Sequence, residues 1–150
     1  MPSLGDSFPP EKKEDYFKRN VTVGAVIRIF CDFTNPPKPK PLVIVCMDPK
    51  VLCFLINSEI HPFIKKRAEL RASQILMPKE SHSFLDHDSF IDCTEAKEFS
   101  LEDIKSQIFQ DMSCIKGESS AEVKKIIVTT VSSSSTISPR DKKWILDNLK

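Results

Sequence analysis

The chain has 150 residues, enough for one domain with a substantial hydrophobic core. It is 40% hydrophobic and 29% charged, and 22 basic against 21 acidic side chains leave a formal net charge of +1. That balance argues against a membrane protein and against a protein that coats long duplex DNA, which carries a larger basic excess; short or single-stranded nucleic acid stays open, because a local cluster suffices.

No apolar run approaches the roughly 20 residues that cross a bilayer. The opening stretch MPSLGDSFPPEKKEDYFKRN lacks a basic segment followed by an apolar one, so no secretory signal is read there. The five cysteines (Cys31, Cys46, Cys53, Cys93, Cys114) are odd in number and scattered, with no C-x-x-C pair. Three lie inside apolar runs as small buried hydrophobes, which fits a reduced, cytoplasmic compartment.

In chain order, residues 1–20 read as an N-terminal arm, flexible over Met1–Pro10, with a short amphipathic helix over Glu11–Arg19 that turns Tyr16 and Phe17 inward. Residues 21–150 read as a single α+β domain, with a barrel over about 21–99 and helices over about 100–150. Val21–Phe33 is rich in β-branched and aromatic residues, and Val23, Ala25, Ile27 and Ile29 alternate with Gly24, Val26, Arg28 and Phe30. That period of two predicts a strand. Leu42–Met47 and Val51–Ile56 are nearly continuous apolar runs, the pattern of strands covered on both faces. Asp48-Pro49-Lys50 breaks them as a turn.

Thr34–Pro41 (TNPPKPKP) places four prolines in eight positions, predicting a stiff loop that carries Lys38 and Lys40 at a sheet edge. Glu59–Ser73 follows the third strand; His61-Pro62 breaks the backbone, and Lys65, Lys66, Arg67 and Arg71 form the densest basic cluster. Ile75–Met77 and Phe90–Cys93 read as the fourth and fifth strands. From Ser100 the texture is helical: Ser100 with Asp103 resembles a capping box before Leu101, Ile104, Ile108 and Met112. Gly117 punctuates, Ser119 or Ser120 caps a helix carrying Val123, Ile126, Ile127 and Val131, and Ser132–Thr136 is a linker. Ser138-Pro139 opens a last helix, Arg140–Leu149.

Three constellations bear on chemistry. His82, Asp86, His87, Asp88, Asp92 and Cys93 are all permissible metal ligands, but their spacing matches no closed zinc pattern, so neither metal nor cofactor is expected. Cys93 could pair with His82 or His87 as a nucleophile, although no catalytic-cysteine signature surrounds it. The third is the loop system of Arg28, Lys38, Lys40, Asn57, Ser58 and His61 with Lys65, Lys66 and Arg67 nearby. Cleavage of a phosphodiester by its own ribose 2′-hydroxyl needs no metal, only a cation for the developing charge, hydrogen bonders that orient the phosphate, and a proton carrier.

Here the arrangement resembles the MazF/PemK-type toxin family of small ribonucleases. The resemblance lies in Gly24-Ala25-Val26-Ile27 opening a strand, Lys40-Pro41 before the apolar run Leu42-Val43-Ile44-Val45, Ile56-Asn57-Ser58 closing a third strand, and Ser89-Phe90-Ile91-Asp92-Cys93 before the closing helix. It spans roughly residues 23–108. It implies a small SH3-like, partly closed antiparallel β-barrel and a metal-independent endoribonuclease acting on single-stranded RNA, forming a homodimer and neutralised by an antitoxin protein. It puts Lys40, Asn57 and Ser58 in catalytic positions, with Arg28, Lys38, His61, Lys65, Lys66 and Arg67 binding substrate. The family's arginine is Lys40 here, which lacks the bidentate fork that grips a phosphate, and its threonine is Asn57 or, one step on, Ser58. The alternative reading on the same barrel is a non-catalytic module that binds a peptide or nucleic acid.

Overall fold

The computed structural model describes residues 9–149, so the arm predicted over Met1–Pro10 lies almost wholly outside the described residues. Helix α1 covers Pro10–Asn20, starting on a proline whose missing N–H costs nothing at a first helical position. Phe17 is buried, its ring edge-on to Phe109 at 6.1 Å, whereas Tyr16 stays exposed. The strands are β1 (Ala25–Cys31), β2 (Lys38–Cys46), β3 (Val51–Asn57), β4 (Gln74–Met77), β5 (Ser89–Phe99) and β6 (Ile115–Glu118). They form one antiparallel sheet in the order β4-β5-β3-β2-β1-β6, curled into a partly closed half-barrel. The remaining helices are α2 (Pro62–Lys65), α3 (Ala68–Arg71), α4 (Leu101–Gln110), α5 (Ala121–Ser132) and α6 (Pro139–Leu149). The α+β architecture with C-terminal helices matches the expectation.

The continuous apolar runs of β2 and β3 are explained by cover on both sides. Leu42, Ile44, Val51 and Cys53 join Ile27 and Ile29 in a core closed by Phe17 of α1 and by Ile104 and Ile108 of α4. Val43, Val45, Leu52 and Phe54 face the other way, against Val123, Ile127 and Val131 of α5 and Ile145 of α6. Each such fully buried side chain contributes about 1.5–3 kcal/mol. Both faces of these strands are therefore covered by the chain's own helices. Among the described residues no helix is long and apolar enough to cross a membrane.

The caps follow the sequence: Ser100 Oγ accepts the Asp103 amide, and Ser120 rather than Ser119 caps α5 by accepting the Val123 amide. Ser119 instead donates its hydroxyl and amide to the Gly24 carbonyl. Gly24 holds a φ of +96°, a left-handed turn that glycine enters without strain, and β1 therefore begins at Ala25 rather than Val21. Asn148 of α6 accepts the Met47 amide and donates to the Asp48 carbonyl, clipping the helix end to the turn between β2 and β3.

Three expectations need correction. Gly117 is no punctuation mark but lies inside β6, a four-residue edge strand paired with β1. Phe90–Cys93 is only the start of an eleven-residue strand that runs to Phe99, because its later half pairs with the other end of β3. Lys38–Pro41 is strand rather than loop, in register with Cys31, Phe30, Ile29 and Arg28 of β1. Its prolines are tolerated because pairing of β2 with β3 begins only at Leu42, so on that side the missing N–H groups leave no ladder bond unmade.

Candidate functional site

Where β2 passes beyond its ladder with β3, a cavity of about 570 Å³ opens. Continuing the register Leu42↔Leu55 by two residues sets Lys40 opposite Asn57, and their side chains meet there: Lys40 Nζ donates to Asn57 Oδ1 at 2.8 Å. A side-chain bond stands where backbone pairing has stopped. With Oδ1 engaged, the Asn57 amide nitrogen remains a donor for a ligand. Arg28 reaches the same cavity from β1, Lys116 from β6, and Ser58 from the end of β3; buried Val26 and Ile56 contribute its apolar wall.

Burial, and secondarily the positive charge of Lys38, hold the Lys40 ammonium below the ordinary lysine range. A lysine so placed is an easier proton donor than a solvated one, and with one N–H given to Asn57 it keeps two for anionic oxygens.

The remaining wall is the segment Phe84–Ser89 between β4 and β5. Its entry is held by His82, which is buried. His82 Nδ1 lies 2.7 Å from the Pro78 carbonyl; a carbonyl only accepts, so Nδ1 carries the proton and Nε2 accepts the Ser120 amide at 3.0 Å. Phe84 packs on Gly117, where a methyl group would stand 2.6 Å from its ring. Asp88 accepts the Lys79 amide, Lys79 Nζ donates to the Asp86 carbonyl, and Ser89 Oγ donates to the His87 carbonyl. These bonds fix the two groups presented to the cavity, Asp86 and His87. His87 Nδ1 donates to the Asp88 carbonyl at 2.9 Å, which leaves Nε2 with a lone pair.

Of the residues singled out from sequence, Arg28, Lys40, Asn57 and Ser58 thus share one cavity. His61 lines an adjoining hollow with Lys40, Asn57 and Ser58, its Nδ1 accepting the Phe63 amide as the cap of α2. Lys38 is exposed on β2, while Lys65, Lys66 and Arg67 are exposed on and after α2, outside the cavity wall. Lys116 was not anticipated, because Ile-Lys-Gly-Glu carries too little alternation to announce a strand. Asp86 and His87 drew notice only as metal ligands or as a cysteine's partner.

The other two constellations do not assemble. Among the described residues no three His, Cys, Asp or Glu side chains come together to hold a metal ion. Asp92 is engaged by Gln74 and by the Thr94 amide, and Asp88 and His82 are structural. Cys93 lies in the core under α5, and burial pushes its thiol far up, away from thiolate. No protein-family model matches the chain, and no curated protein shows a significant match to it.

Proposed function

We propose that the protein is a metal-independent endoribonuclease that cleaves single-stranded RNA through attack of a ribose 2′-hydroxyl on its own 3′-phosphate. One observation carries the reading: Lys40, Asn57 and Ser58 share a cavity with a proton carrier, His87, whose Nε2 is free to act as a base. His87 Nε2 takes the 2′-hydroxyl proton as the oxygen bonds to phosphorus. Lys40, with Arg28 and Lys116, faces the charge that builds on the phosphorane oxygens, and the Asn57 amide and Ser58 hydroxyl orient them. The P–O5′ bond then breaks, and the 5′ oxygen takes a proton from Lys40, whose lowered pKa eases that release. The products are a 2′,3′-cyclic phosphate and a 5′-hydroxyl. Exchange with water restores both groups.

The resemblance to MazF/PemK-type toxins supports the wider parts of the proposal: a cytoplasmic homodimer held inactive by an antitoxin protein. The test is incubation of the purified protein with end-labelled single-stranded RNA in the presence of a chelator. Fragments ending in cyclic phosphate, abolished by 2′-deoxy substitution at the cut position, are expected. RNA that is bound but never cut would overturn the catalytic reading and leave the binding module in its place.

A further inference from the structure

A second hollow of about 310 Å³ shares Lys40, Asn57 and Ser58 with the main cavity and adds His61 and Ile64. Ile64 in turn belongs to a third, of about 370 Å³, walled by Phe33, Leu55, Phe63, Leu70 and Asp92. The three make one track, polar and cationic at one end and apolar and aromatic at the other. Phe33 and Phe63 are 40% and 54% exposed, two large rings left facing solvent where burial would have stabilised the fold. Each carries a cation over one face: Arg67 Cζ lies 4.5 Å from the Phe63 centroid, and Lys97 Nζ, ion-paired with Glu95 of the same wall, lies 4.8 Å from that of Phe33, so Arg67 is the cation left to attract a backbone.

We propose that the Phe33–Phe63 hollow is a base-binding subsite, taking the base of a nucleotide that flanks the phosphate held at Lys40. The proposal rests on the RNA reading of that site. Aromatic faces beside cations are how single-stranded nucleic acid is held, by stacking of the base and attraction of the backbone. Asp92 sets which part of the nucleotide enters. Its Oδ1 accepts from Gln74 Nε2 at 2.9 Å and from the Thr94 amide at 3.0 Å, which fixes the carboxylate. A carboxylate repels phosphate and accepts from an exocyclic amino group, so a base edge faces it, and adenine, cytosine or guanine is favoured over uracil.

The test is equilibrium binding of 2′-O-methyl pentanucleotides, which cannot be cleaved, followed by fluorescence anisotropy on the full chain. Phe63→Ala should weaken binding by roughly 5- to 150-fold, the loss of one base–aromatic stack. The dependence on salt should hold its slope, because the phosphate contacts remain. An abasic residue at the flanking position should weaken wild-type binding by a similar factor and have no further effect on Phe63→Ala. Asp92→Asn should erase the preference for an amino-bearing base. If Phe63→Ala binds as the wild type while the wild type cuts single-stranded RNA and Lys40→Ala does not, the subsite is refuted and the phosphate site stands. If the wild type binds none of the oligonucleotides, both readings fall. The abasic comparison on the wild type decides the matter even where a substitution impairs folding.

Discussion

Lys40→Ala separates chemistry from fold most sharply. In the proposed reaction the ammonium faces charge that appears only as the phosphorane forms, so its removal should lower turnover far more than binding. Loss of one such preorganised donor costs about 3 kcal/mol, on the order of a hundredfold in rate. Stability should change by no more than about 1 kcal/mol: the 2.8 Å bond to Asn57 is lost, but so is a half-buried cation that the fold holds at an unfavourable pKa. The sign of the pH effect follows from the same shift. A lysine whose folded pKa is lowered keeps fewer protons than the unfolded chain between that value and the ordinary lysine range, so its burial penalty is full at neutral pH and relieved as pH rises through that window. Activity runs the other way, since the ammonium is the working form: cleavage should fall at a pH below the ordinary lysine range. Lys40→Arg should keep the positive charge and oligonucleotide binding but lower cleavage, because guanidinium does not release a proton to the 5′ oxygen, and the alkaline limb should move upward in whatever activity remains. Single-turnover cleavage of labelled RNA from neutral to strongly alkaline pH measures all of this. Lys40→Ala cutting as fast as the wild type, or an alkaline limb unmoved in Lys40→Arg, would refute the assignment.

His82→Ala should lower stability by about 2–4 kcal/mol in urea unfolding, since it opens a void and orphans the Ser120 amide at the start of α5. Gly117→Ala should cost about 1–3 kcal/mol by driving a methyl into Phe84, and Phe84→Leu should recover part of it in a double-mutant cycle; additive losses would show that the two do not touch. Thiol labelling of the native protein should modify Cys114 first and leave Cys31, Cys46, Cys53 and Cys93 unreacted until unfolding: burial raises the pKa of all five thiols, but only Cys114 is partly exposed to the reagent.

β2 and β3 were legible because each buries side chains on both faces, and nothing but uninterrupted Val, Ile, Leu, Cys and Phe satisfies that, whereas β1 was legible from its period of two, which leaves Arg28 and Phe30 exposed. The caps at Ser100 and Ser138 were legible because capping is local, an oxygen and an amide three residues apart. β6 was not. Its four residues hold strand geometry only because β1 offers an open edge, and that information lies about ninety residues away in the chain. The proline segment misled for a related reason: a missing N–H forbids pairing on one side only, and which side is free depends on where β3 ends.

The same distinction decides how much of the site could be read in advance. Lys40 drew notice on the proline segment and Asn57 at the close of the third strand, and their meeting follows from a register that the apolar runs themselves impose, since slipping β2 by one residue would turn Leu42 and Ile44 away from their core. His87 and Lys116 belong to another class. Neither sits on a patterned element: His87 is placed by a loop tied down through His82, Asp88 and Ser89, and Lys116 by an edge strand with no sequence signature. The proposed phosphate anchor, Lys40, was thus set by strand periodicity, whereas the proposed proton carrier, His87, was set by long-range hydrogen bonds. It follows that loosening the His82 anchor should harm cleavage through misplaced His87 while leaving oligonucleotide binding at Lys40 nearly intact, a split that simple loss of fold would not produce. His82→Asn, which can still donate to Pro78 or accept from Ser120, is the variant in which to measure it.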